Sequence, residues 1–134
     1  MKYIKTFESL NIDKEIKEIE ERYKSNSLKY ITYLSDIGKV YDSNIRKAGD
    51  KYYISHKISM DDDVTSAEIL DSLIRTIDSL EHEFNAEVYI EILHVVNGEQ
   101  MGGEVIKSYD GELDKEGVIY FLHSGYSDIF ISIH

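Results

Sequence analysis

A chain of 134 residues that is 42% hydrophobic and 31% charged has the apolar material for one core, and its lack of cysteine excludes disulfides, thiol nucleophiles and cysteine-ligated zinc. The net charge of −11 is unevenly divided: residues 1–60 carry +3 and residues 61–134 carry −14, so the second half repels phosphate backbones and anionic lipid, which argues against direct contact with nucleic acid or membrane. No run approaches the roughly 18 apolar residues of a membrane span and the start lacks an apolar signal core, so a soluble, cytoplasmic protein is expected.

In chain order, Ile12, Ile16, Ile19 and Tyr23 recur at helical spacing and predict an amphipathic helix over residues 9–24. Residues 28–60 are rich in Tyr, Ile and Thr and are broken by Asp36-Ile37-Gly38 and Ala48-Gly49-Asp50, which predicts three antiparallel strands at 29–35, 39–46 and 51–59. In the third, Tyr52, Ile54, His56 and Ile58 alternate with Tyr53, Ser55 and Lys57, as a half-buried strand requires. Asp61-Asp62-Asp63 then leads into Thr65, with Glu68 three residues later, the pattern of a capping box. The helix it opens presents Ile69, Leu70, Leu73, Ile74, Ile77, Leu80 and Phe84 on one face, with Glu68, Asp71, Ser72, Arg75, Asp78, Ser79 and Glu81 on the solvent side. After Asn85, strands are predicted at 87–96, 103–109, 117–122 and 128–133, with turns at Asn97-Gly98, Asp110-Gly111 and Ser124-Gly125. An antiparallel meander is the simplest arrangement, its last strand apolar at nearly every position and so expected to be buried on both faces.

The fold class expected is α+β in the order α-βββ-α-ββββ: a mostly antiparallel sheet on one central amphipathic helix, with an outer helix at the N-terminus. Residues 1–134 form one domain, 1–60 mildly basic and 61–134 acidic, and the strands leave open whether there is one sheet or two.

Local chemistry is sparse. No phosphate-binding loop, dinucleotide fingerprint, paired-histidine zinc motif or nucleophile elbow occurs, so no catalytic, metal or cofactor residue is assigned and no cofactor is expected. Carboxylates at Asp61, Asp62 and Asp63 are explained by the helix dipole they precede. His94 and His123, in neighbouring parts of the predicted second sheet, are the residues a small metal-dependent hydrolase would use; alternation sets His94 on the face of Val88, Ile90 and Ile92, the place of a histidine at the core edge.

Tyrosine, with eleven residues, is the more informative excess, since its ring and hydroxyl suit interfaces. Tyr30, Tyr33, Tyr41 and Tyr53 in the predicted first sheet are the candidate interface. Asp71, Asp78, Glu87 and Glu91 are the candidate acidic face.

The opening Met1-Lys2-Tyr3-Ile4-Lys5-Thr6-Phe7-Glu8-Ser9 resembles the MKxIKxFES-type leader of small tailed-bacteriophage proteins, and the absence of proline beside abundant Ile, Lys and Tyr fits an AT-rich coding genome. That resemblance implies an origin and no activity. Residues 1–84 follow the element order of double-stranded-RNA-binding domains, but Asp61 to Asp63 stand where that family has lysines, so RNA binding is not implied. Type III secretion chaperones are similar in size, acidity and opening order, a likeness of fold alone. The expected function is that of a non-catalytic protein-binding module, a virion accessory or adaptor, its partner a phage or host protein or a second copy of the chain. The alternatives are an acidic decoy of a host nucleic-acid-binding or defence protein, and the hydrolase.

Overall fold

A computed structural model of the chain describes Lys14, Lys17 and residues 28–134, with only the backbone path described at 28–31. The leader and the expected helix at 9–24 lie outside the described residues, except for Lys14 and Lys17, both helical and exposed. The elements are α1 (Leu28–Ser35), β1 (Gly38–Ala48), β2 (Lys51–Met60), α2 (Ser66–Asp78) continued by a π turn (Ser79–Glu83), β3 (Val88–Val96), β4 (Glu99–Lys107), α3 (Lys115–His123) and β5 (Asp128–Ile133). The class is α+β, and the strands form one antiparallel sheet in the order β1-β2-β5-β3-β4. Among the described residues no helix is long and apolar enough to cross a membrane.

α2 starts where its capping residues place it. Glu68 N donates to Thr65 Oγ1 at 3.2 Å, and Thr65 N donates back to Glu68 Oε1 at 3.4 Å, so two of the helix's orphan donors are satisfied by its own first turn. After the π turn, Asn85 takes φ 51 and Ala86 N donates to Leu80 O, turning the chain into β3. β3 and β4 are joined through Asn97 (φ 52) and Gly98 (φ 81), both left-handed as a tight two-residue hairpin requires.

The predicted meander is corrected by the position of β5. β2 and β3 each pair antiparallel with β5, so they run parallel to one another, linked by α2, with a slot between them one strand wide. β5 fills it: Ile131 sits between His56 and Ile90, and Ile129 between Ile58 and Ile92. A segment apolar at nearly every position can occupy that central place because both of its edges are hydrogen-bonded and Ile129, Ile131 and Ile133 are fully buried.

Two predicted strands are helices. Residues 29–35 fall in α1, where strand-favouring Tyr, Ile and Thr are overruled by tertiary packing: Leu34 and Ile37 are buried in the core beside α2. Residues 117–122 fall in α3, which Asp114 caps by accepting from Gly117 N at 3.0 Å. Val118, Phe121 and Leu122, spaced three and one apart, face the core from this helix. With two strands rather than three between the first helices, the shared element order with double-stranded-RNA-binding domains and secretion chaperones does not hold. Ser72 and Ser79, expected on the solvent side of α2, are buried because α1 packs along that flank.

All described helices lie on one side of the sheet. Their core is Leu34, Ile69, Leu73, Ile77, Leu80 and Val118 against Ile58, Met60, Val88, Ile90, Ile92, Ile129, Ile131 and Ile133. His56, on the same side, is 6% exposed, and its Nδ1 lies 2.7 Å from Ser43 Oγ; burial pulls its pKa down from 6.5 to about 4.

Cutting Ile131 back to alanine should cost about 3–4 kcal/mol of unfolding free energy in urea titrations, since the slot cannot close around the void. A second expectation concerns pH. Above pH 6.5 His56 is neutral folded or unfolded; between 6.5 and 4 the unfolded chain takes up a proton that the folded site refuses, so stability falls as pH falls, by about 3 kcal/mol once pH is below 4. His56→Leu should flatten the part of the urea-midpoint profile between pH 6.5 and 5.

Candidate functional site

The outer face of the sheet carries none of the described helices, and the strand pairings place its residues in rows. One row is Arg46, Tyr53; the next is Asn44, Ser55, Ser132 and Tyr89; the next is Asp42, Lys57, Phe130, Glu91 and Val105; a fourth is Lys39, Ser59, Asp128, Leu93 and Gly103. Tyr109, just past β4, folds back over this face and donates to Ser132 Oγ at 2.7 Å.

These side chains form a connected aromatic cluster. The Tyr109 ring lies 5.4 Å from Tyr89, 6.0 Å from Tyr53 and 4.6 Å from His134; Tyr53 meets His134 edge-on at 4.9 Å, and Tyr89 meets Phe130 at 6.2 Å. Separations in this range are those aromatic pairs prefer. Arg46 stacks its guanidinium 5.6 Å over Tyr53, and His134 Nε2 approaches Glu87 Oε2 at 3.3 Å. The five rings are half-buried.

Tyr41 occupies a bulge between Val40 and Asp42, and from there it reaches across β2 to donate to Asp128 Oδ2 at 2.7 Å. Asp128 is 6% exposed and accepts a second bond from Ser127 Oγ at 2.7 Å. Partial burial, then the Asp128 bond and charge, push the Tyr41 hydroxyl up to about 12; burial and neighbouring Glu91 likewise raise Tyr89. Both remain protonated donors at neutral pH.

Charge divides across the same face. β1 and β2 bring Lys39, Arg46, Lys51 and Lys57 against Asp42, whereas the start of β3 brings Glu91 and, just ahead of the strand, Glu87. The aromatic cluster lies between a cationic side and an anionic side.

Of the candidate interface residues, the structure brings Tyr41 and Tyr53 to this face and removes Tyr30 and Tyr33, which lie on α1 on the other side of the sheet, Tyr33 beside a groove with Arg75, Ser79 and His82. The rings that complete the cluster, Tyr89, Tyr109, Phe130 and His134, were not singled out from sequence. Odd-numbered alternation opposite Val88, Ile90 and Ile92 marks Tyr89, but Tyr109 comes by a backward fold that no periodicity shows. The candidate acidic face is divided: Glu87 and Glu91 lie on the outer face, while Asp71, paired with Arg75 at 3.0 Å, and Asp78 lie on α2.

His94 stacks on Tyr126 at 5.0 Å at the edge of the core, and His123, expected just past a strand of the second sheet, is exposed at the end of α3. Among the described residues no three His, Cys, Asp or Glu side chains gather as metal ligands.

On the helix side, a cleft of about 510 Å³ opens between α2 and the segment joining β4 to α3, bordered by Asp78, Glu81, Asp110 and Glu112. At its base is Lys107, 3% exposed, whose Nζ donates to Val88 O at 3.0 Å and Ser108 O at 3.2 Å and lies 3.5 Å from Glu81. That lysine ties β4 to the π turn. In comparisons with known proteins, no family model, no curated protein and no solved structure matches this chain.

Removing the hydroxyl in Tyr41→Phe takes one donor from a buried carboxylate and should destabilise the fold by about 1.5–2 kcal/mol, read as a lower urea midpoint with an unchanged m-value.

Proposed function

We propose that the chain is a non-catalytic protein-binding module that docks through its outer sheet face, serving as an accessory or adaptor protein of a tailed-phage virion. The observation carrying this reading is the cluster of Tyr53, Tyr89, Tyr109, Phe130 and His134 on the side of the sheet that the described helices leave uncovered. Two of its hydroxyls are engaged within the face, Tyr109 at Ser132 and Tyr89 at Glu91, so these rings are held in place before a partner arrives and little of their side-chain freedom is lost on docking. The cationic margin on β1 and β2 steers a partner that is acidic at the matching edge. The fit is to a folded protein surface of the phage or its host.

The decoy alternative needs a continuous carboxylate surface, and Asp71 and Asp78 are separated by the sheet from Glu87 and Glu91. What supports it is narrower, the acidic border of the α2 cleft.

Lysine-directed cross-linking of the tagged protein in cells that contain its partner distinguishes these surfaces. Lys51 and Lys57 on the outer face should carry the partner cross-links and Lys115 on α3 none. Cross-links confined to Lys115 would favour the cleft, and repeated recovery of the uncross-linked monomer alone would defeat both readings.

A further inference from the structure

We propose that a second copy of this chain pairs with the outer edge of β4, antiparallel about Gly103, joining two five-strand sheets into one of ten strands.

The two edges of the sheet are β1 and β4, and they differ in how they meet solvent. β1 is lined by Lys39, Arg46 and Lys47 and interrupted by the Tyr41 bulge, features that discourage strand addition. β4 reads Glu-Gln-Met-Gly-Gly-Glu-Val-Ile-Lys, with its only lysine turned inward to Val88 O. Five large hydrophobic residues are exposed among those described: Tyr41, Val96, Met101, Val105 and Tyr120. Three of the five, Val96, Met101 and Val105, sit on the β3–β4 hairpin, Met101 at 64% and Val105 at 51% exposure. An edge strand with unpaired backbone groups and aliphatic side chains is a template for another strand.

The occupant is fixed by the order of residues along β4. A two-fold axis through Gly103 sets Met101 opposite Val105 of the second copy, twice by symmetry, and Gly102 opposite Glu104. Within the paired stretch the only charged residue, Glu104, falls opposite glycine, so no like charges oppose one another. Moving the axis one residue onward sets Glu104 against Glu104, and moving it one residue back sets Val105 against Glu99 and Met101 against glycine. At Gly102 a Cβ would meet nothing within 4 Å, so the middle of the strand is open among the described residues. Bulges beside Met101 and Ile106, and the bond from Asp114 N to Ile106 O, limit the pairing to a short stretch of about Met101–Val105. The contact concerns the sheet edge and stands apart from the docking role of the outer face.

Sedimentation of the full chain over rising concentration should show mass moving from 15.5 kDa toward twice that value, and Met101→Lys with Val105→Lys should raise the dissociation constant at least about tenfold by opposing like charges. Both side chains are more than half exposed, so the circular dichroism of this variant should match the parent. Because the chain has no cysteine, a mixture of Met101→Cys and Val105→Cys proteins should form the mixed disulfide dimer on oxidation, with little from either alone. Monomer mass at every concentration, or a dimer indifferent to the two lysines, would overturn the proposal.

Discussion

The rest of the structure depends on a slot. α2 carries the chain from the end of β2 to the start of β3 so that the two strands run parallel and do not touch, leaving two facing rows of backbone donors and acceptors. Buried backbone groups without partners cost several kcal/mol each in apolar surroundings, so the arrangement exists only with β5 inserted. Everything on either side follows from that insertion: Ile129, Ile131 and Ile133 complete the core, and Phe130 and Ser132 become the centre of the outer face. Such pairing joins residues far apart in sequence, the kind of contact whose loop entropy must be overcome before it is rewarded.

The same insertion makes the sheet two-sided in chemistry. Toward the helices it is aliphatic, and the buried imidazole there, His56, is kept neutral by burial and set against Ser43. Away from them it is aromatic and hydroxylic, with tyrosine rings held by short bonds to Ser132 and Asp128. Aromatic side chains locked ring against ring and by hydroxyl bonds form a firm surface.

Where one residue's local chemistry suffices, sequence was enough. Thr65 and Glu68 mark the start of α2, Asn97-Gly98 marks a hairpin, and the alternation of β2 separates Tyr52 and His56 from Tyr53 and Lys57. Where a segment's propensity and its packing disagree, it was not. α1 and α3 are built from strand-favouring residues and are helical because Leu34 and Val118 reach the core only that way; Asp114 was the one local sign for α3. The place of β5 and the backward fold of Tyr109 are long-range outcomes, and half of the aromatic cluster came with them. Tyr53 was legible because strand alternation alone assigns it a side, whereas Tyr41 owes its side to a bulge that alternation does not show.

Lys107 has a consequence beyond holding β4 to the π turn. Its amine is shut away beneath Glu81 and bound to two carbonyls, so acylating reagents can reach it only when the strand's end lifts away from α2. The pace at which that single amine becomes modified, measured beside those of solvent-facing lysines, is a built-in clock for how often this end of the sheet breathes.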